Sequence, residues 1–244
     1  MTGIILAAGK SERMNSALPK VLLPLQGKPL LFYVLKAALD SGLNRIIIVV
    51  GRGHEEVKKT FACAKVEFVL QNRQSGTADA VKTCEKLIAN DEEITVLCGD
   101  TPLLTAPTIK RLIEIHRQEK ADATVLTTIL ANPYGYGRIV RDSKKQVIAI
   151  VEEREASDEI KRIKEINSGA FTFNWQRLKP VLQELKPSPR TGEYYLTDAI
   201  AALKATGAKI AAYVTPNCSE ILGVNTPKEF EAVAQLLAKR NGKS

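Results

Sequence analysis

The run Ile46-Ile47-Ile48-Val49-Val50 constrains this chain more than any other feature. Five consecutive β-branched apolar residues leave no polar face for water, so a strand built from them must be covered on both sides. Comparable strand candidates recur at Gly3–Ala7, Val66–Leu70, Ile94–Leu97 and Ala123–Thr128, with the central run starting at Arg45. Between them apolar residues return at helical spacing. Leu31, Val34, Leu35 and Ala38 form one stripe that stops at Ser41-Gly42, and Thr77–Ile88 and Pro107–Gln118 form others. This strand–helix alternation predicts an α/β fold, a parallel doubly wound sheet with helices on both faces.

The second half reads differently. Gly137–Arg141 and Val147–Val151 look like short strands joined by the polar turn Asp142–Lys145, and Glu165–Phe173 like another strand. Helical patterns follow at Asn174–Leu185, Tyr194–Ala205 and Thr226–Lys239, and Lys186–Gly192 is a loop on Pro and Gly grounds and a candidate lid. This half is expected to complete the sheet and close over its edge.

Composition narrows the function classes. The 244 residues suit one large domain. The longest apolar run, Leu30–Leu35, falls far short of the ~20 residues of a membrane helix. The opening Met1–Leu6 reads as a first strand rather than a leader, and the four cysteines lack CxxC spacing. Reduced thiols and a cytoplasmic location are expected. The net charge of +8 attracts anions. No basic tract interleaved with aromatics occurs, so phosphorylated small molecules are favoured over nucleic acid.

Three segments carry chemistry. Leu6-Ala7-Ala8-Gly9 ends the first strand, with Arg13 and Lys20 following. Small residues let a ligand approach the backbone, successive N–H groups can cradle an anion, and the two basic side chains add charge. The stretch Gly99-Asp100-Thr101-Pro102 places a carboxylate at a strand's carboxyl end, where Mg²⁺ with phosphate oxygens could bind. Gln71–Ala80 places amides at a strand end, where they could read a base edge or simply open a helix. Neither GxxxxGK[ST] nor a full GxGxxG is present, which disfavours a P-loop NTPase and a standard NAD enzyme.

Taken in order, these segments resemble the sugar-1-phosphate nucleotidyltransferases, and among them the uridyltransferase half of the bifunctional bacterial enzymes that make UDP-N-acetylglucosamine. LAAGxGxRM…LPK is met by Leu6–Met14 and Leu18–Lys20, QxxxxGTAxA by Gln71–Ala80 and GDxPLL by Gly99–Leu104. YGRIV is met by Tyr136–Val140, IVE by Ile150–Glu152, EIN-x-G by Glu165–Gly169, GEYYLTD by Gly192–Asp198 and GVN by Gly223–Asn225. Departures are Ser11 for the second loop glycine, Ser75 for a frequent leucine and Asp79 for a frequent histidine. No hexapeptide repeats of an acetyltransferase β-helix follow.

The resemblance implies a Rossmann-like nucleotidyltransferase fold, mostly parallel, with a smaller sugar-binding lobe. It implies one domain over 1–244: a nucleotide-binding part at about 1–130, the sugar lobe at 131–225 and a C-terminal helix at 226–244. Leu6, Ala7, Ala8 and Gly9 would bind the nucleotide with Gln71, Gln74, Gly76 and Thr77, and Arg13 and Lys20 would be catalytic. Asp100 and Asn225 would hold Mg²⁺, and Gly137, Glu152, Asn167, Tyr195 and Thr197 would surround the sugar. The implied substrates are UTP and N-acetylglucosamine 1-phosphate, with no nucleic acid or membrane partner and a monomer or dimer. The rivals are another sugar 1-phosphate or nucleotide, and a sugar-nucleotide-binding regulator without turnover.

Overall fold

The computed structural model describes residues 1–9, 14, 16 and 18–242. The chain runs through β1 (Thr2–Ala7), a small hairpin of β2 (Pro24–Leu25) and β3 (Lys28–Pro29), α1 (Leu30–Asp40), β4 (Arg45–Val50), α2 (His54–Thr60), β5 (Glu67–Leu70), α3 (Thr77–Lys82), β6 (Glu93–Cys98), α4 (Ala106–Gln118) and β7 (Ala123–Ile129). It continues through β8 (Arg138–Arg141), β9 (Val147–Val151), α5 (Asp158–Lys161), β10 (Glu165–Asn174), α6 (Trp175–Glu184), α7 (Asp198–Ala205), β11 (Ile210–Val214) and α8 (Pro227–Asn241).

The main sheet has the order β11-β7-β10-β6-β1-β4-β5, with the β8–β9 hairpin attached through β10. β1 pairs in parallel with both β4 and β6, β4 with β5, and β7 with β11. β10 enters antiparallel between β6 and β7. The fold is thus α/β with a mostly parallel sheet, as the strand–helix rhythm predicts. Alternation along the strands decides which face each residue serves. Ile4, Ile47 and Val49 pack under α3, α6 and α7, whereas Ile5, Ile46, Ile48 and Val50 pack under α1 and α4. The five-residue run is fully buried on both faces, as a central parallel strand requires.

Several local expectations shift. β11 escapes the sequence reading, because Ile210-Ala211-Ala212-Tyr213-Val214 is a half-buried edge strand with two alanines and little β signal. The helix expected from Tyr194 begins only at Asp198. The Tyr194 backbone is already engaged: its N–H donates to Ser75 O at 2.8 Å and its carbonyl accepts from Ala78 N–H at 2.9 Å. The helix expected over 77–88 stops at Lys82 and yields to a 3-10 turn at Glu85–Leu87. The 186–192 loop is tied down through Ser188, whose hydroxyl donates to Glu155 at 2.6 Å and whose N–H donates to Glu193 O at 2.9 Å.

α8 seals a third apolar cluster, Leu25, Leu30, Leu103, Val224, Val233 and Leu237. Its first turn reaches the site directly. Thr226 caps it by accepting from Glu229 N–H at 3.3 Å, and the Glu229 carboxylate accepts from Asn225 N–H at 2.8 Å. The threonine-to-glutamate spacing that starts the helix therefore also orients Asn225.

Candidate active site

The point where β1 turns away to β4 on one side and β6 on the other leaves a crevice beyond the strands' carboxyl ends, the usual ligand position in an open α/β sheet. A cleft of about 690 Å³ lies there. It is lined by thirteen of the sixteen sequence-predicted residues that the structure describes: Leu6, Ala7, Ala8, Gly9, Lys20, Gln71, Gln74, Gly76, Thr77, Asp100, Glu152, Tyr195 and Asn225. Gly137, Asn167 and Thr197 do not line it. Arg13 lies outside the described residues.

The cleft holds a charge cluster. Lys20 sits in a 3-10 turn, Lys20–Leu22, that follows Pro19. Its ammonium donates to Asp100 Oδ2 at 2.5 Å and to Asn225 Oδ1 at 2.9 Å. Asp100 stands just past β6, and its carbonyl accepts from Val224 N–H at 2.9 Å, which draws the Asn225 segment alongside. Asp100 and Asn225 offer two side-chain oxygens to one cation. That donor type is the one Mg²⁺ takes, so the residues present fit the metal. Among the described residues no group of three His, Cys, Asp or Glu could hold a metal.

The base side is built by the segment after β5. Gln71 N–H donates to Val50 O at 2.8 Å, continuing the ladder for one more residue. Its buried side-chain amide donates to Gly76 O at 2.9 Å and to Asp79 Oδ2 at 2.8 Å. Gln74 donates across to Ala8 O, joining this segment to the loop after β1. Gly76 has φ +113°, and a Cβ there would collide with the Tyr194 backbone, so only glycine fits. Thr77 Oγ1 accepts from Leu196 N–H at 2.9 Å. The base side is thereby laced to residues 194–196 of the adjoining wall.

On that wall Glu152 is the polar anchor. Thr197 donates to its carboxylate at 2.8 Å, and Gly137 is small enough to leave the carboxylate room. Asn167 N–H donates to Gly137 O at 2.8 Å, and its Oδ1 accepts from Gly169 N–H at 2.9 Å. Gly137, Thr197 and Asn167 thus form a layer behind Glu152. Tyr195 OH pairs with Thr191 at 2.9 Å. Sequence reasoning missed Cys98, Glu153, Arg154 and Glu193, which also line the cleft. Burial, with Asp100 nearby, pushes the Cys98 thiol up to about 12, so it is a protonated weak donor to Gly169 O at 3.5 Å. The two histidines lie outside the cleft, and His116 is buried against Thr124 at 2.9 Å.

Burial raises the Glu152 carboxyl above its ordinary 4.5, only partly offset by the Thr197 hydrogen bond, while Asp198 and Glu193 add to the rise. An acid whose folded-state pKa is raised contributes its full stability below its unfolded value and loses it as pH climbs through the folded value. At neutral pH ionised Glu152 therefore weakens the fold. Glu152→Gln keeps an acceptor for Thr197 and is expected to raise Tm at pH 7–8, with the gain shrinking as pH falls and vanishing below pH 4.5. Thermal melts of both proteins across that range check this; a gain that is equal at both ends would show that charge is not the cause.

The comparisons with known proteins agree with this architecture. Residues 3–163 match the MobA-like NTP transferase domain. The chain is 39% identical to "Bifunctional protein GlmU" of Syntrophomonas wolfei, covering 100% of this chain and 54% of that protein. It is 44% identical to the protein of that name from Shouchella clausii, covering 97% and 52%, and 41% identical to that from Bacillus subtilis, covering 98% and 53%. The chain therefore spans about half the length of the curated relatives it matches. Among solved structures, a UDP-glucose pyrophosphorylase in complex with UDP-glucose superposes with TM-score 0.78 at 20% identity, covering 98% of each chain. A putative glucose-1-phosphate thymidylyltransferase from Bacillus anthracis superposes with TM-score 0.77 at 22% identity, covering 96% and 94%. These two establish likeness of fold. With two thirds of its length matched and identity of this order end to end, the chain belongs to the MobA-like NTP transferases and is a nucleotidyltransferase.

Proposed function

We propose that this chain transfers a uridylyl group from UTP to N-acetylglucosamine 1-phosphate, giving UDP-N-acetylglucosamine and pyrophosphate. The observation that carries the reading is the Lys20–Asp100–Asn225 cluster, which lines the same cleft as the amide-bearing segment after β5 and Glu152. Two anionic substrates that meet there meet at a cation. The relatives named above support the reading, since the match runs through every segment that builds the cleft.

The reaction needs little covalent help from the protein. A phosphate oxygen of the sugar 1-phosphate forms a bond to the α-phosphorus of UTP, and the bond from that phosphorus to the α,β-bridging oxygen breaks. Pyrophosphate leaves with the bond's electron pair. The nucleophile is already an anion, so no general base is required. The protein must position two polyanions and offset their repulsion. Lys20 would stabilise the charge that builds on the transferring and leaving phosphates, and Arg13 would join it. The backbone at 6–9 would cradle the triphosphate, and Gln71, Gln74, Gly76 and Thr77 would hold the base. Asp100 and Asn225 would hold Mg²⁺, which when bound neutralises phosphate charge. Glu152 and Tyr195 would take the sugar hydroxyls and N-acetyl group, backed by Gly137, Asn167 and Thr197. In this assignment residues 1–130 carry the nucleotide, 131–225 the sugar, and the first turn of α8 holds Asn225 in place. The substrates are cytoplasmic small molecules. Among the described residues no helix is long and apolar enough to cross a membrane.

Pyrophosphate release from a panel of nucleoside triphosphates and sugar 1-phosphates, with Mg²⁺ and with a chelator, tests this. Turnover is expected with UTP and N-acetylglucosamine 1-phosphate well above other pairs, and the chelator should abolish it. A different preferred pair would overturn the substrate assignment, and nucleotide binding without turnover on any pair would overturn the reaction.

A further inference from the structure

We propose that Asp79 is a positioning residue for base selection: it holds the Gln71 amide so that only the carbonyl oxygen faces the cleft, which selects a base carrying a ring N–H, such as uracil, over one carrying a ring lone pair, such as cytosine. The proposal rests on the nucleotide site assigned above and names how that site reads its base.

A side-chain amide has two N–H protons and one carbonyl oxygen, and its two ends differ only in which groups they meet. Here the surroundings decide the matter. The Gln71 nitrogen lies 2.9 Å from Gly76 O and 2.8 Å from Asp79 Oδ2. Both neighbours are pure acceptors, a backbone carbonyl and a carboxylate. Turning the amide over would set its oxygen against both of them. The hydrogen-bond network, which is the proper basis for assigning an amide, therefore admits one orientation. Both protons are engaged, and among the described residues nothing donates to Oε1. Gln71 lines the cleft and its side chain is buried, so the oxygen is the group it has to offer a ligand.

One of the two clamps is immovable. Gly76 is locked by its +113° φ and its packing on the Tyr194 backbone, which itself is strapped to Ser75 and Ala78. The second clamp is a side chain. Asp79 lies in the first turn of α3, where an acidic residue also suits the helix dipole. The helix thus presents a carboxylate to the inner end of the amide. A carbonyl oxygen aimed at the base accepts from N3–H of uracil. It repels the N3 lone pair of cytosine, and a site built around one hydrogen-bond sense discriminates because the wrong partner leaves a buried polar group unpaired.

The test compares binding of UTP and of CTP, each with Mg²⁺, by calorimetry on the full chain. Wild type is expected to prefer UTP by about tenfold or more, the scale of one buried hydrogen bond turned to repulsion. Asp79→Ala should reduce that ratio about fivefold or more, because only the Gly76 carbonyl then opposes turning the amide over. Asp79→Asn should keep it, since its Oδ1 still accepts from Gln71. Loss of the Asp79 charge alters attraction for both triphosphates alike, so the ratio separates orientation from charge. Gln71→Ala should bring the ratio to that level or below, and adding Asp79→Ala to it should change nothing further.

A wild-type protein that binds the two nucleotides equally would overturn the proposal. So would an Asp79→Ala ratio equal to wild type, or an Asp79→Asn ratio as low as that of Asp79→Ala. If Asp79→Ala does not fold, Asp79→Ser removes the carboxylate while keeping a polar residue in the helix's first turn, and is read the same way. Normal base discrimination with no pyrophosphate release from UTP in the presence of N-acetylglucosamine 1-phosphate would overturn the proposed reaction and leave this inference standing.

Discussion

Lys20→Met is expected to lower kcat by roughly 10²–10³-fold, the usual cost of removing one preorganised group that meets developing charge. The argument starts from placement. The ammonium is largely buried, with its side chain 12% exposed, and it lies in contact with Asp100 and Asn225 in the cleft. In so screened a position its charge acts on a phosphate at low effective dielectric, where it counts for more than on the surface. Methionine retains the stem and removes the charge, so the fold should persist. Steady-state kinetics with a circular dichroism melt checks both halves, and near-normal turnover would remove Lys20 from the mechanism. A second readout is independent of turnover. The Lys20 ammonium occupies the oxygen pair that a divalent ion would use, so the ion and the ammonium compete when no nucleotide is present. Lys20→Met should therefore bind Mn²⁺ more tightly than wild type by electron paramagnetic resonance titration. Weaker binding would mean that the two side chains do not serve as metal ligands.

Glu153→Gln is expected to cost about 3 kcal/mol of stability, because it leaves a buried charge without its counter-ion. Arg138 is 1% exposed and lies in β8, where its guanidinium meets Glu153 at 2.7 Å and donates to Tyr136 O. The Glu153 carboxylate also accepts from Gly135 N–H at 3.2 Å, so one ion pair holds the 134–137 turn against the cleft wall. Among the described residues Arg138 Nε has no hydrogen-bond partner, so the guanidinium depends heavily on Glu153. For a domain of this size the loss corresponds to a fall in Tm of roughly 6–12 °C. Adding Arg138→Met should recover part of it, since two neutral side chains are cheaper to bury than one unpaired ion. Thermal melts of the single and double variants decide this; a double variant no better than Glu153→Gln would mean that the ion pair is not what holds the turn.

Much of the fold was legible in local pattern. Strands β1, β4, β6 and β7 lie within a residue or so of their apolar runs, because a strand buried on both faces has almost no other composition available. α1 and α4 follow from their stripes for the same reason. The misses share a cause. β11 carries little intrinsic signal and exists through its parallel pairing with β7. The late start of α7 follows from backbone bonds to residues 75 and 78, more than a hundred positions away. The site was legible as residue types at strand ends, and thirteen of those residues do line the cleft. Glu153 was not legible, because an acid beside another acid reads as a solvated pair until its buried partner Arg138 is seen.

The sequence by itself determined the α/β class, the central strands, the helical faces and the places where polar residues gather, since these depend on neighbours within a few positions. Only the tertiary structure decided that β10 runs antiparallel between β6 and β7, and that Lys20 meets partners 80 and 205 residues away. It alone decided that Asp79 and Gly76 together turn the Gln71 amide one way. Burial pattern is a property of a segment, but the direction of a hydrogen bond belongs to two groups at once, and their meeting depends on how the rest of the chain has packed.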